Sequence, residues 1–393
     1  MTHAPASRRA CLRRIALAGA AALAAAPARA RGDTIRFGQS APLTGPAQDL
    51  GIEYQRGIRM AFDEANARGG HEGRRLELVA FDDQYEPAVA LGNTRELLES
   101  AQVFGLVGYV GAECCARSLP LAARAGVPFV APLTGAMSLR HDPSPGLFLL
   151  HPGDDTETGL IARTLATIDF RRVAILCQDD ADGAAALRSL GAAMAAAGLA
   201  VATVATIVRN ATSRVDPATR PIDGAVRRLL AAEPQAVVCL GAYATTAAVV
   251  RGLRARGFAG GCYATSLSSA AALGPLLGPF AAGMSITQAV PSPHELSRPV
   301  VADYRRWLAA HGGAAPEYVS LEGWIAGRLV VEALRRTTLG MPGAAARERF
   351  VLALESLAGA DLGGLPLRWD GAHRQFGLPV SLTVLDPQGR PRA

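Results

Sequence analysis

Residues 108–122, GYVGAECCARSLPLA, set an acid and two adjacent cysteines at the end of an apolar run. A metal site, a redox pair, a cysteine nucleophile or a ligand-holding loop would each use such a segment. No CxxC or Cys/His spacing accompanies Cys114 and Cys115, so a zinc-type site is not encoded. Past the first thirty residues the cysteines are Cys114, Cys115, Cys177, Cys239 and Cys262; this odd number cannot pair fully, and neighbours in sequence bridge only with strain. Cys177 and Cys239 lie in apolar runs, where a free thiol packs as a small hydrophobe. The histidines are scattered without an HExxH arrangement, and no GxSxG elbow occurs. All 40 basic residues are arginine, which excludes a phosphate-loop lysine and Schiff-base chemistry. Neither a cofactor nor a metal is indicated. The backbone remains: Gly111-Ala112 between a strand and a helix would expose unpaired N–H groups that favour an anion, or would form an ordinary strand-to-helix turn.

The elements that must position this loop alternate regularly. Strand-like Thr34 to Gln39 leads to a helix carrying Tyr54, Ile58, Ala61, Phe62 and Ala65 at helical spacing, closed by Gly69-Gly70. Further strands are predicted at 76–81, 103–110, 127–131, 172–177, 199–207, 236–240 and 261–265, separated by helices such as 113–125, 183–197 and 245–256. This order implies parallel sheets covered by helices on both faces, and the strand number implies two sheets. Helices dominate 299–357, and the late strands 365–369 and 380–385 imply a return to a sheet already begun. Trp307 and Trp324, mid-helix among apolar neighbours, are expected in the core. Ligands in such folds sit beyond the carboxyl ends of the strands, which directs attention to loops 40–51, 108–115, 132–138, 150–158, 178–183, 241–245 and 265–269.

Residues 1–30 have the form of an export signal. Paired Arg8-Arg9 precede an apolar run from Ile15 to Ala26, and Ala28-Arg29-Ala30 has the small-x-small form of a cleavage site. The arginine pair resembles a twin-arginine signal. Removing its five arginines, with no acid, takes the formal charge from +6 to +1, so no basic stripe argues for nucleic acid. The remaining 363 residues exceed what one core normally serves and imply two domains.

From about Ile35 to Leu385 the chain resembles the solute-binding proteins of branched-chain amino acid type ABC transporters, the Leu/Ile/Val-binding family. The stretches IRFGQSAPLTGPAQDLG, GIRMAFDEANARGG, LELVAFDDQYEPAVA, VFGLVGYVGAE, AGVPFVAPLTGA, MSITQAVPSP and VSLEGWIAGRLVVEALRR carry the resemblance, in that order. It implies a type I periplasmic binding fold: two doubly wound α/β lobes with parallel sheets, joined by three hinge crossings, with ligand in the cleft. The implied lobes are 33–153 plus 289–376, and 154–288 plus 377–393. The implied ligand contacts are Gly111, Ala112 and Glu113, with Thr134, Gly135 and Ala136, for the carboxylate and part of the amine of an amino acid. Leu50 falls at a side-chain pocket position, Asp155 at a second-lobe acid, Tyr243 at a closing aromatic and Ser266 where an acid often binds the amine.

Four departures bear on the ligand. Ala112 lacks a hydroxyl common at its position, Glu113 adds negative charge there, Asp182 replaces a common aromatic, and Ser266 lacks the amine-pairing carboxylate. A carboxylate beside Glu113 is unfavourable, so a small polar or amide-like molecule is expected, or an aromatic acid should Glu113 point away. The implied role is capture of a small molecule in the periplasm and delivery to an ABC importer membrane permease by a monomer without catalysis. A sensor passing lobe closure to a signalling partner is the alternative. A secreted enzyme has least support, because no nucleophile, base and orienting group occur together as a motif.

Overall fold

Uninterrupted apolar runs become strands buried on both faces, and the helical stretches between them become the covering layers. The computed structural model describes residues 34–141, 143–211, 219–340 and 343–392; the expected export signal, 1–30, lies outside them. The first half alternates β1 (Ile35–Ala41), α1 (Gln48–Ala67), β2 (Leu76–Asp82), α2 (Pro87–Glu99), β3 (Gly105–Val107), α3 (Ala112–Arg124), β4 (Phe129–Val130), α4 (Ser138–His141) and β5 (Leu147–Phe148). Its sheet is parallel throughout, in the order β2-β1-β3-β4-β5. Pro87 opens α2, where its missing N–H costs nothing.

The chain then builds α5 (Asp154–Thr167), β6 (Arg172–Gln178), α6 (Ala181–Ala196), β7 (Ala200–Ile207), α7 (Thr219–Ala231), β8 (Ala236–Leu240), α8 (Tyr243–Ala255), β9 (Gly261–Ala264), α9 (Ala270–Leu277) and β10 (Met284–Gln288). It continues through α10 (Pro299–Ala310), α11 (Tyr318–Arg335) and α12 (Ala344–Glu355). It ends with β11 (Arg368–Asp370), β12 (Gln375–Gly377), β13 (Ser381–Leu385) and β14 (Pro391–Arg392). The second sheet runs β14-β13-β10-β9-β8-β6-β7.

Helices α10–α12 return to the first sheet. Phe350 on α12 packs with Phe37 and Phe104, and Arg347 donates to the carbonyls of Val103 and Phe104. Helix α11 lies against α1 so closely that Gly57 and Gly323 face backbone atoms of the opposing helix. The chain therefore passes between the sheets after β5, after β10 and before β13.

Two features differ from the sequence expectation. The second sheet is not wholly parallel, because β13 runs antiparallel to β10 and β14 antiparallel to β13. The strand expected at 365–369 forms instead at 368–370, in a hairpin with β12 that joins neither main sheet. That hairpin is tacked to the end of β5, with the Phe376 N–H donating to Leu149 O at 2.8 Å and the Leu149 N–H to Arg374 O at 2.9 Å. Trp324 is fully buried, whereas Trp307 is partly buried and stacks on His311. No helix among the described residues is long and apolar enough to cross a membrane.

Candidate ligand-binding site

A cavity of about 280 Å³ lies beyond the carboxyl ends of both sheets. The first-sheet side contributes Leu50 of α1, Ala112 and Glu113 in the first turn of α3, and the loop Thr134-Gly135-Ala136. The other side contributes Gln178, Asp182 and Thr265. Seven of the eleven residues singled out in the sequence thus meet in one space.

The start of α3 determines the character of this space. Gly111 holds φ at +91°, and a Cβ there would approach the Tyr85 ring to 2.6 Å, so only glycine fits. The Glu113 N–H does not point into open space: it donates to Asp182 Oδ2 at 2.9 Å, across the cleft. Asp182 sits in the first turn of α6, which the Asp180 carboxylate caps by accepting from the Gly183 N–H at 2.9 Å. Arg209 closes the arrangement, with its guanidinium 2.7 Å from Asp180, 3.0 Å from Glu113 and 3.2 Å from Asp182, and lying 4.9 Å over the Tyr85 ring. Glu113, Asp180 and Asp182 stand close enough together to ligate a cation. Arg209 supplies that positive charge from within the chain. Burial pushes the Asp182 carboxyl above its ordinary range, opposed by the Glu113 N–H and by Arg209. The other oxygen of Glu113 accepts from Arg117 at 2.6 Å.

The second wall is anchored by a buried cation. Arg140, 2 % exposed, donates to the carbonyls of Ala136 at 2.8 Å and His151 at 2.6 Å, and to Gln375 at 2.9 Å. The Ala136 N–H is received by Thr134 Oγ1 at 3.2 Å. Gly135 touches the start of α5, where its carbonyl accepts the Asp154 N–H at 2.8 Å. A Cβ on residue 135 would fall 2.0 Å from Asp154 Oδ1 and 3.0 Å from Asp154 N. Gly135→Ala is therefore expected to displace the start of α5 and cost about 1–3 kcal/mol, read as a lower denaturation midpoint. An unmoved midpoint would show that the wall is compliant.

Asp154 also lines the cavity, and among the described residues its carboxylate makes no ion pair or side-chain hydrogen bond. Burial, with repulsion from Glu157, pushes its pKa up to about 6 against the opposing pull of Arg140 and His151.

The remaining predicted residues lie elsewhere. Gly111 shapes the loop from behind. Asp155 is exposed and accepts from its neighbour Thr156 N–H at 2.7 Å. Tyr243 lines a second, wider cavity, and its hydroxyl accepts the Asp49 N–H at 3.2 Å. Ser266 donates to Glu157 at 3.0 Å, within a buried cluster that contains His151. The five cysteines among the described residues are free and buried, and burial raises the Cys114 and Cys115 thiols far from neutrality, so neither presents a thiolate.

Sequence reading missed Tyr85, Asp154 and Arg209. Tyr85 and Arg209 follow β2 and β7, whose ends were left out of the loops first singled out. One signal was available for Tyr85, because Asp82-Asp83 precede it. Asp82 holds Leu43, Thr44 and Gln84, while Asp83 holds Ser40 and the Tyr85 N–H. These bonds stabilise Gln84 and Tyr85 at φ +54° and +63°, values that side-chain-bearing residues seldom adopt.

Comparison with known proteins adds an independent line. The sequence profile described as periplasmic binding protein matches residues 34–390. Leu/Ile/Val-binding protein homolog 7 of Brucella suis is 37% identical over 116 residues, which cover 29% of this chain and 28% of that protein. The chain thus matches under a third of the length of such curated relatives. Two crystal structures match over nearly their whole length. A possible leucine/isoleucine/valine-binding protein from Rhodopirellula baltica shares 28% identity at a TM-score of 0.81, covering 93% of this chain and 98% of that one. A substrate-binding periplasmic protein from Ralstonia solanacearum shares 29% at 0.82, covering 91% and 99%.

Proposed function

The chain belongs to the periplasmic binding protein family, and from that premise we propose that it captures a small polar ligand between two lobes and delivers it to an ABC importer permease. The family relation is to binding proteins of the branched-chain amino acid type, and the fold is the type I periplasmic binding fold. The observation that carries the reading is the cavity at the carboxyl ends of both sheets, walled by residues of each.

The lobes of this reading are 33–153 with 289–376, and 154–288 with 377–393. The packing of α11 on α1 and the pairing of β13 with β10 support those boundaries. Contacts across the cleft suit closure by hinge motion: Glu113 with Asp182 and Arg209, Asp49 with Tyr243, and Asn210 with Glu86. Residues 1–30 act as the export signal, and the mature monomer works in the periplasm without catalysing a reaction. The ligand is an amino acid, an amide or a related organic acid.

Native mass spectrometry of residues 31–393 against amino acids, amides and aromatic acids tests this directly. One retained molecule per chain is expected, with a rise in melting temperature; ligand at a hundred times its Kd adds about 2.7 kcal/mol. Bare protein throughout the panel, with melting unmoved, would refute the reading.

A further inference from the structure

Asp182 stands where the fold offers a place to an anion from outside. The first N–H groups of a helix have no partner within it and attract negative charge. At the start of α3 that charge is the protein's own: Asp182, carried on α6, accepts the Glu113 N–H at 2.9 Å and meets Arg209 at 3.2 Å. A second backbone donor of this wall, the Ala136 N–H, is held by Thr134. An incoming carboxylate would find the Glu113 and Ala136 N–H groups engaged and the carboxylates of Glu113, Asp154 and Asp182 around it. Arg209 is already held by Glu113 and Asp182, and Arg188 is a further lining cation. A ligand N–H would find Asp154, a carboxylate lining the cavity without a side-chain partner among the described residues. The remaining lining is largely small and apolar, including Ala112, Ala116, Ala185 and Leu267. The volume equals that of roughly nine water molecules at ~30 Å³ each, enough for a short branched tail.

We infer that Asp182 is a built-in substitute for a ligand carboxylate, and that the cavity selects a small amine or amide lacking one, with its N–H groups received by Asp154. The inference rests on the solute-binding reading and narrows its ligand class. Charge-assisted hydrogen bonding to Asp154 supplies the attraction. The three carboxylates, and the engagement of the Glu113 N–H by Asp182, supply the rejection on which selectivity depends.

Calorimetric titration of the mature chain with four probes sharing one branched tail, isoamylamine, isovaleramide, isovalerate and L-leucine, tests it. The wild type is expected to bind the amine or amide at least tenfold more tightly than isovalerate or leucine. Asp182→Ala should gain at least tenfold for isovalerate or leucine by releasing the Glu113 N–H. Asp182→Asn, which removes the charge but keeps an oxygen that can accept the Glu113 N–H, should show a smaller gain in the same direction, and is read should the alanine variant not fold. Asp154→Asn should lose at least tenfold for the amine. Wild-type preference for leucine or isovalerate, or an order of affinities untouched at position 182, overturns the inference and leaves the solute-binding reading standing. Silence of all four probes also overturns it, whereas the solute-binding reading falls only if the wider panel is silent too.

Discussion

Replacing His151 with alanine is expected to remove about 3–5 kcal/mol of folding stability. His151 is 1 % exposed and sits between two buried glutamates, with Nδ1 2.9 Å from Glu322 of α11 and Nε2 3.3 Å from Glu157 of α5. Glu157 is further held by the Ser266 N–H and hydroxyl and by the Thr287 hydroxyl. Burial by itself would drive the imidazole neutral, but the two carboxylates outweigh it and raise its pKa from 6.5 to about 10. Alanine would leave two carboxylates facing each other out of water. Adding Glu322→Gln should then restore part of the loss, because the uncompensated charge causes most of it.

The sign of the pH dependence follows from the raised value. The unfolded chain releases this proton near pH 6.5, and the folded chain keeps it up to about 10. The contribution is complete below pH 6.5 and is lost as pH rises through 10. Between those limits the wild type should lose about 1.4 kcal/mol per pH unit through this group. Denaturation midpoints at pH 7, 8 and 9 measure it: the wild type should converge on the alanine variant as pH rises, and parallel curves would dismiss the charged-histidine account.

Gly323→Val is expected to cost about 3 kcal/mol or more, because overpacking here meets backbone that cannot change rotamer. A Cβ on residue 323 would lie 2.2 Å from Tyr54 O, and one on Gly57 would lie 2.0 Å from Ser320 O. The two helices cross at glycine on both sides, with Gly327 against Ala61 one turn further on. Separating them would move α1, whose Leu50 lines the cavity, and would disturb Trp324, which is buried at the crossing. Intrinsic tryptophan fluorescence during urea unfolding reports both changes. An unshifted midpoint with native emission would mean that the helices can part without loss.

Much of the frame was legible in the chain because local pattern and burial agree. The run Ala236–Leu240 is wholly apolar and becomes a strand buried at every residue. Pro87 marked the start of α2, and Gly69-Gly70 closed α1. The Gly111-Ala112-Glu113 turn was recognisable as a strand-to-helix loop for the same reason. The edges were harder to read: β13 is short and half exposed, so its apolar pattern says nothing of direction, and its antiparallel pairing is set by where α12 and the hairpin leave the chain.

The sequence by itself determined most of the loops that would lie at the carboxyl ends of the strands, since hydrophobic period and turn residues are local quantities that the chain states outright. It also excluded lysine chemistry, since no lysine occurs in the chain. Only the tertiary structure decided what fills the start of α3, because the partners are Glu113, Asp182 and Arg209, separated by 69 and 96 positions from the first. An electrostatic contact depends on distance through space, and no residue type or spacing along the chain encodes that the anion at this helix start belongs to the protein itself.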